Sequence, residues 1–517
     1  MRRNQTDPVF DWLAYHAEFD PGRLAAVDLA TQRWLTYGEF NDRATRLATA
    51  LRERFGVEHG DRVAFLARNG TDHFEAMFAC WKLGAIFVPM SWRLSPHETA
   101  AILEHCEPRV VLHDADFASL LAFAHAPTLE RVPGHAACRY EQLIAAHEPL
   151  VAMEHADFDT INLLLYTSGT TGRPKGVIYT HRMTHNIVVH AALHARIRAG
   201  TRTLTYSPLF HAAGLNALAM PSFHYGGAVL VMRTFDAGAC LAMLTDPGLQ
   251  VTHTVGVPAT YQLMSQRPEF ATASFPTLEV AGVGAAPVPL HLLETWAARG
   301  LVLSQSFGLT EAFSVSFTPS EKAREQIGSA GHPLLHVKVQ IGDQHGLELP
   351  RNRVGEIQVR GPGVTPGYWH DPEATAAAFT ANGWFRTGDA GRMTEQGIVF
   401  VVDRIKDMYI SGGENVYPAE VEDVIDELDA VSQSAVLGVP DSKWGEAGLA
   451  LVVLQPGQQL EPERIREHCR GRLARYKVPR DVRIVPALPL SPQGKILKRE
   501  LQRLYVESGG QPPSKVA

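Results

Sequence analysis

The chain of 517 residues carries 45% apolar and 20% charged side chains, an ordinary balance for a soluble globular protein, and it is too long for one core, so roughly two to four domains are expected. A formal net charge of −7, with basic residues scattered apart from one cluster near the C-terminus, gives no footprint for DNA, RNA or an anionic membrane. Cys80, Cys106, Cys138, Cys240 and Cys469 lie far apart without a CxxC pair, the first residues lack an uninterrupted apolar h-region, and no run reaches the ~18 to 20 apolar residues of a spanning helix; a cytoplasmic protein without a cleaved secretory signal, disulfide framework, zinc site or membrane span is expected.

From about residue 60 to 310, short apolar or β-branched runs alternate with helical stretches. Segments 61–69, 85–90, 109–115, 162–168, 227–233, 251–257, 278–284 and 301–307 read as buried strands ending in turns, whereas 76–83 and 182–198 fit helices. This alternation predicts layered α/β structure. Beyond about residue 330, segments 336–343, 355–361 and 397–404, separated by Gly, Pro and Asn, predict a small antiparallel β region. A last α+β unit of roughly 110 residues follows, with strands near 434–439, 449–454 and 481–485 and helices near 419–428, 462–473 and 495–505.

The most informative string is YTSGTTGRPKGV, from Tyr166 to Val177, directly after an apolar strand. Gly169 and Gly172 allow tight turning and close approach of a ligand to the backbone. Thr167, Ser168, Thr170 and Thr171 supply hydroxyls, and Lys175 a positive charge. Together with backbone N–H groups, these are what a polyphosphate requires. No Ser or Thr follows a Gly-Lys pair, so this is not the GxxxxGK[ST] loop.

The whole string resembles the adenylate-forming superfamily of acyl-CoA synthetases, firefly-type luciferases and peptide-synthetase adenylation domains, and within it the carboxylic acid:CoA ligases. The resemblance runs from about residue 30 to 505. It implies an α/β fold: a large N-terminal domain (1–405) of layered α/β subdomains plus a small β region, and a smaller mobile α+β C-terminal domain (406–517). Gly284, Ala285 and Ala286, before Pro287, resemble the turn that lines the adenine. Phe307, Gly308, Thr310 and Glu311 lie in a string usually written Tyr-Gly-x-Thr-Glu; Phe307 keeps an aromatic face for adenine, and Glu311 is the implied Mg²⁺ contact. Asp389, in Thr-Gly-Asp, resembles the acceptor of the ribose hydroxyls, although that tripeptide alone is a common turn. Arg404 is implied to touch the nucleotide, Lys406 to be the hinge, and Lys495, in Pro-Gln-Gly-Lys, to be the adenylation lysine.

What the resemblance implies chemically is two half-reactions using ATP, Mg²⁺ and coenzyme A. A carboxylate attacks the α-phosphorus of ATP and releases pyrophosphate; after the C-terminal domain rotates about Lys406, CoA thiolate displaces AMP. Positive charge and positioning carry the first step, with Lys495, Thr167, Glu311 and His211 as the catalytic candidates. For CoA, the family implies the loop of Gly412 and Gly413. The sequence adds Lys443, Arg475 and Lys477 beside Trp444 and Tyr476, cations for phosphates and aromatic faces for the adenine.

The acid is the least specified partner. The segment from Pro208 to Leu215 resembles the family's acyl-pocket segment, with Phe210, His211, Val255, Gly256, Val257, Ala281, Gly282 and Ser306 as candidate lining. None is acidic, which argues against an amino acid substrate, and the small residues Gly256, Ala281 and Gly282 leave room. A medium- or long-chain fatty acid or an arylpropenoic acid is expected. The rival readings are a ligase loading a carrier protein, a luciferase-like oxygenase and a non-catalytic nucleotide sensor; a homodimer is left open.

Overall fold

The structure is a computed structural model that describes residues 9–150, 156–167, 174–286, 288–326, 328–411, 413–441, 444–490 and 496–507. Two large sheets carry the N-terminal part. The first has six strands in the spatial order Thr128–Arg131, Val110–Asp114, Arg62–Leu66, Ile86–Met90, Ile161–Thr167 and Lys175–Thr180, parallel except for its last pair. The second has nine, with the parallel strands Ser304–Phe307, Val280–Gly284, His253–Gly256, Arg202–Thr205 and Ala228–Val231 at its centre. Apolar runs such as Ala228–Val231 and Val280–Gly284 suit strands covered on both faces, whereas Arg202–Thr205 and Ser304–Phe307 bring polar residues into the sheet. All eight apolar runs named from the sequence hold a strand of one sheet or the other.

The N-terminal hairpin joins the second sheet rather than the first. Leu24–Asp28 lies parallel to Ala228–Val231, about two hundred residues later in the chain, and Arg33–Thr36 closes the edge. The helix Tyr37–Phe55 then packs against the helix Thr71–Lys82, which lies on the first sheet. Its start is written locally: Thr36 and Glu39 form a reciprocal capping box, and Gly56, at φ 63°, ends it in the left-handed region.

The small antiparallel sheet runs in the order Lys338–Gly342, Gly355–Arg360, Phe385–Met393 and Val399–Arg404. Phe385–Met393 was not expected as a strand; its Thr-Gly-Asp reads as a turn, but the structure places that tripeptide inside the strand. The C-terminal unit begins with Tyr409–Ser411 and Glu414–Val416, which join the long hairpin Val431–Asp441 and Gly445–Leu454; Asp481–Ile484 adds in parallel. Its helices Pro418–Asp426, Pro462–Arg470 and Lys498–Glu507 match the expected order. Among the described residues no helix is long and apolar enough to cross a membrane.

The helix His181–Ala195 turns His181 and His190 inward, at 4% and 2% exposure. Burial pushes both rings down to a pKa of about 4, helped at His190 by the facing His336 ring at 3.3 Å. An unfolded histidine takes up its proton near pH 6.5, so stability is present above that pH and is lost as pH falls towards 4, by up to ~2 kcal/mol per ring at pH 5. The thermal midpoint of the ligand-free protein should therefore drop by a few degrees between pH 7 and pH 5 in scanning calorimetry. A flat profile over that interval would mean that these rings are hydrated in solution.

Candidate active site

The strands Ile161–Thr167 and Lys175–Thr180 form an antiparallel hairpin in which Thr167 pairs with Lys175. Thr167 and Lys175 are therefore cross-strand partners at the end of this hairpin, one residue bearing a hydroxyl and the other an ammonium on either side of the Ser/Thr/Gly string. Ser168, Gly169, Thr170 and Thr171 lie outside the described residues, as do Gly412, Lys443 and Lys495.

In the second sheet Gly284 pairs with Ser306, and a Cβ at Gly284 would come within 2.6 Å of both oxygens of Ser306. That close approach explains the glycine. Ala285 follows at φ 68°, a left-handed conformation costly for a residue with a Cβ and often found at functional sites, and Ala286 continues the turn. Half-buried Phe307 ends its strand, and a Cβ at Gly308 would overlap the Phe313 carbonyl. The loop then reaches Thr310, whose carbonyl accepts from the Tyr179 hydroxyl at 2.5 Å, and Glu311.

Glu311 is held from a segment not singled out in the sequence. Its Oε1 accepts from the Tyr368 hydroxyl at 2.9 Å, and its backbone carbonyl accepts from the Thr365 amide at 2.7 Å. Lys175 Nζ lies 5.0 Å from the centre of the same Tyr368 ring. A half-buried carboxylate with one oxygen on a neutral donor leaves the other for a hard cation that would take its remaining ligands from phosphates and water, so the residues fit Mg²⁺. Among the described residues no group of three or more His, Cys, Asp or Glu forms a metal cage of its own.

Asp389 sits in a bulge. Between Glu356 and Gln358 on the neighbouring strand the register passes four residues, from Ala390 to Arg386, so Thr387, Gly388 and Asp389 bulge out of the ladder. Gly388 adopts φ 71°, and the Thr387 hydroxyl donates to Ile357 O at 2.7 Å and accepts from the Asp389 amide at 3.1 Å. On its other side Asp389 is the cross-strand partner of Arg404, whose Nε reaches its carboxylate at 2.7 Å. Two residues that the sequence separates by fifteen positions are thus one charged pair. Phe307, Leu309 and Ala312 pack into the same cluster as Phe385, Val399 and Val401, which seats the Glu311 loop on this sheet.

The acyl-pocket candidates divide between two faces. Val255 pairs with Gly282, and a Cβ on Gly282 would meet Val255 Cγ2 at 3.2 Å; Val255 packs with Val280 against Ala192, Ala195 and Leu218. Ala281 points the other way, into the core with Leu204, Tyr206 and Tyr261. A Cβ on Gly256 would overlap the Tyr206 hydroxyl. The room expected at Gly256 and Ala281 is therefore taken up by the core, because alternate residues of a strand face opposite sides. Val257 caps the helix Pro258–Ser265, and Ser306 is half-buried. His211 caps the short helix Ala212–Asn216 and lies 4.5 Å from the ring of buried Phe210. A second residue absent from the sequence reading is Asn69: its side chain donates to Ser207 O at 3.0 Å and Met232 O at 3.2 Å and accepts from the Leu209 amide at 3.0 Å. It clamps the turn that presents Phe210 and His211. An Asn between a strand and a helix is too common for sequence alone to mark it.

Exposed Lys406 lies in the one-turn helix Ile405–Asp407, between the small sheet and the C-terminal sheet. Asp403, on the near side, accepts from the Ala419 amide on the far side at 2.7 Å. Gly413, at φ 87°, lies two residues after Ser411, which pairs with Gly445 next in the chain to Trp444, so Ser411 adjoins the hairpin that carries Trp444. The basic cluster is less free than its sequence suggests. Lys477 forms an ion pair with Glu420 at 2.5 Å and lies 5.8 Å from the centre of the Tyr476 ring, whereas Arg475 is exposed.

The signature described as AMP-binding enzyme matches residues 13–369, and that described as AMP-binding enzyme C-terminal domain matches residues 420–495. The chain is 40% identical over 496 residues to a feruloyl-CoA synthase of Amycolatopsis sp, covering 96% of this chain and 98% of that one. It is 36% identical over 500 residues to a long-chain fatty acid–CoA ligase of Mycobacterium tuberculosis, covering 95% and 97%. The crystal structure of ATP-bound MatB from Rhodopseudomonas palustris superposes with a TM-score of 0.90 at 29% identity, over 97% of this chain and 99% of that one. With both signatures in order along one chain, and with relatives matched over nearly its whole length, this protein belongs to the AMP-binding enzyme family, the adenylate-forming superfamily its sequence resembles.

Proposed function

We infer that this enzyme is an AMP-forming carboxylic acid:CoA ligase acting on an acid with a sizeable apolar body, fatty or aryl. The observation that carries the inference is the meeting of the Thr167–Lys175 hairpin and the Glu311 loop at Tyr368, which brings a hydroxyl, an ammonium and a carboxylate to the mouth of the phosphate-type loop. In the first step a carboxylate oxygen forms a bond to the α-phosphorus of ATP while the bond to the β-phosphate oxygen breaks. Thr167 and Lys175, with the loop hydroxyls between them, hold the departing pyrophosphate; Phe307 stacks on adenine; Asp389, oriented by Arg404, accepts from the ribose. Lys495 bridges the two anions that must meet. Glu311 would hold Mg²⁺, which would supply charge neutralisation for the phosphates. In the second step, after the C-terminal domain has turned about Lys406, the thiol of CoA loses its proton to solvent, sulfur bonds to the acyl carbon, the bond from that carbon to the phosphate oxygen breaks, and AMP leaves.

Names of relatives support the acid class: one acts on a phenylpropenoic acid and another on long-chain fatty acids. Val255, Gly282, His211 and Ser306 remain the lining on which this class rests. Arg475 and Trp444, rather than the paired Lys477, are the CoA contacts of choice. Five buried free cysteines suit a cytoplasmic, reducing environment.

Pyrophosphate release and thioester formation across acetate, hexanoate, dodecanoate and ferulate, with and without CoA, test this directly. kcat/KM should rise by roughly threefold to fourfold per buried CH₂, about 0.8 kcal/mol each, until the pocket is full. Gly282→Leu should penalise dodecanoate and ferulate more than acetate. Acetate leading the series would overturn the substrate class, and pyrophosphate release without any acyl-CoA would turn the assignment towards carrier loading.

A further inference from the structure

Tyr368 stands where three separate segments meet. Residues 365–369 run beside the strand Lys175–Thr180: the Ile178 amide donates to Gly367 O at 3.1 Å, the Trp369 amide to Gly176 O at 2.7 Å, and the Thr365 hydroxyl to Ile178 O at 2.7 Å. Gly367 has φ 152° with Thr375 filling the space where a Cβ would go, and the Thr375 hydroxyl accepts from the Tyr368 amide at 2.9 Å. The backbone is therefore fixed from both sides. Its ring packs on the edge of the main core, and its hydroxyl reaches Glu311.

Lys175 and Glu311 are of opposite charge on neighbouring segments, yet no ion pair joins them; the Tyr368 ring lies beneath the ammonium, and the Tyr368 hydroxyl occupies one carboxylate oxygen. A direct Lys–Glu pair would neutralise the two groups that a metal-bound triphosphate needs. We propose that Tyr368 is a positioning residue that keeps Lys175 and Glu311 apart and fixes the Glu311 carboxylate, leaving the ammonium for phosphate and the second carboxylate oxygen for a divalent cation. The hydroxyl is the part that matters, since packing alone needs only the ring. The inference rests on the reading of this site as an ATP site with its metal contact at Glu311.

Tyr368→Phe keeps the ring and removes only the hydroxyl. Equilibrium binding of ATP in Mg²⁺, of ATP in EDTA and of AMP should be measured by calorimetry on the full chain, beside its thermal midpoint. The wild type should bind ATP more tightly in Mg²⁺ than in EDTA. In the variant, affinity for ATP in Mg²⁺ should fall about tenfold, the loss of a hydrogen bond to a charged group, while AMP affinity stays within about twofold and the thermal midpoint is unchanged. A Mg²⁺-dependent wild type with an unaffected variant would overturn the role of Tyr368 alone, as would equal losses for ATP and AMP. A wild type that binds ATP equally in Mg²⁺ and EDTA would overturn the metal contact at Glu311 and this inference with it.

Discussion

Lys495→Ala should lower acyl-adenylate formation by at least about 10³-fold while leaving thioester formation from supplied acyl-AMP within a few-fold of wild type. A carboxylate must approach a phosphate of like charge, and a preorganised cation at that contact contributes on the order of 10² to 10³ by itself, more where it also holds both reactants in line. The second half-reaction has lost that repulsion, because the acyl group is already esterified and pyrophosphate has gone. Leu490 and Ile496 are bridged, and the Leu497 amide donates to Pro489 O at 2.8 Å, so the flanks of this segment are pinned to each other ahead of the helix Lys498–Glu507. An alanine within it should therefore cost activity rather than folding. Acid-dependent pyrophosphate–ATP exchange reads the first step, and AMP release from synthetic acyl-AMP and CoA reads the second. Equal loss of both would show that Lys495 supports the whole site and not the encounter of the two anions.

The second large effect is expected at Asp389. Asp389→Asn keeps the shape but removes the charge that Arg404 engages and that the proposed mechanism offers to the ribose hydroxyls, and hydrogen bonds to charged groups contribute about 1.5 to 3 kcal/mol each. kcat/KM for ATP should fall by roughly 10²-fold, with inhibition by pyrophosphate unchanged because the phosphate hairpin is untouched. Were Asp389 only a bulge residue, the same change would lower the thermal midpoint and leave the KM for ATP as it was. Measuring both separates the two roles.

How far the residues spoke for themselves depended on how local their physics is. The apolar runs of the two large sheets were legible because a strand covered on both faces is mostly apolar over a short local stretch. The strand Phe385–Met393 was not legible, since FRTGDAGRM is polar, glycine-rich and bulged, and only its neighbours on both sides make it a strand.

By itself, then, the sequence determined the α/β class and the smaller C-terminal unit, and it set out in order the strings proposed for phosphate, adenine, metal and ribose, each a short string whose residue types suit the ligand it would meet. Tertiary structure alone decided which of those strings touch. It paired Asp389 with Arg404 across a ladder, turned Ala281 and Gly256 into the core while leaving Val255 and Gly282 on the other face, and occupied Lys477 with Glu420. It also carried Leu24–Asp28 to a strand two hundred residues away and set Tyr368 between Lys175 and Glu311. Each of these depends on register, on strand pairing or on contact between distant segments, and a one-residue shift in a strand reverses every side chain on it, so no local pattern could have encoded them.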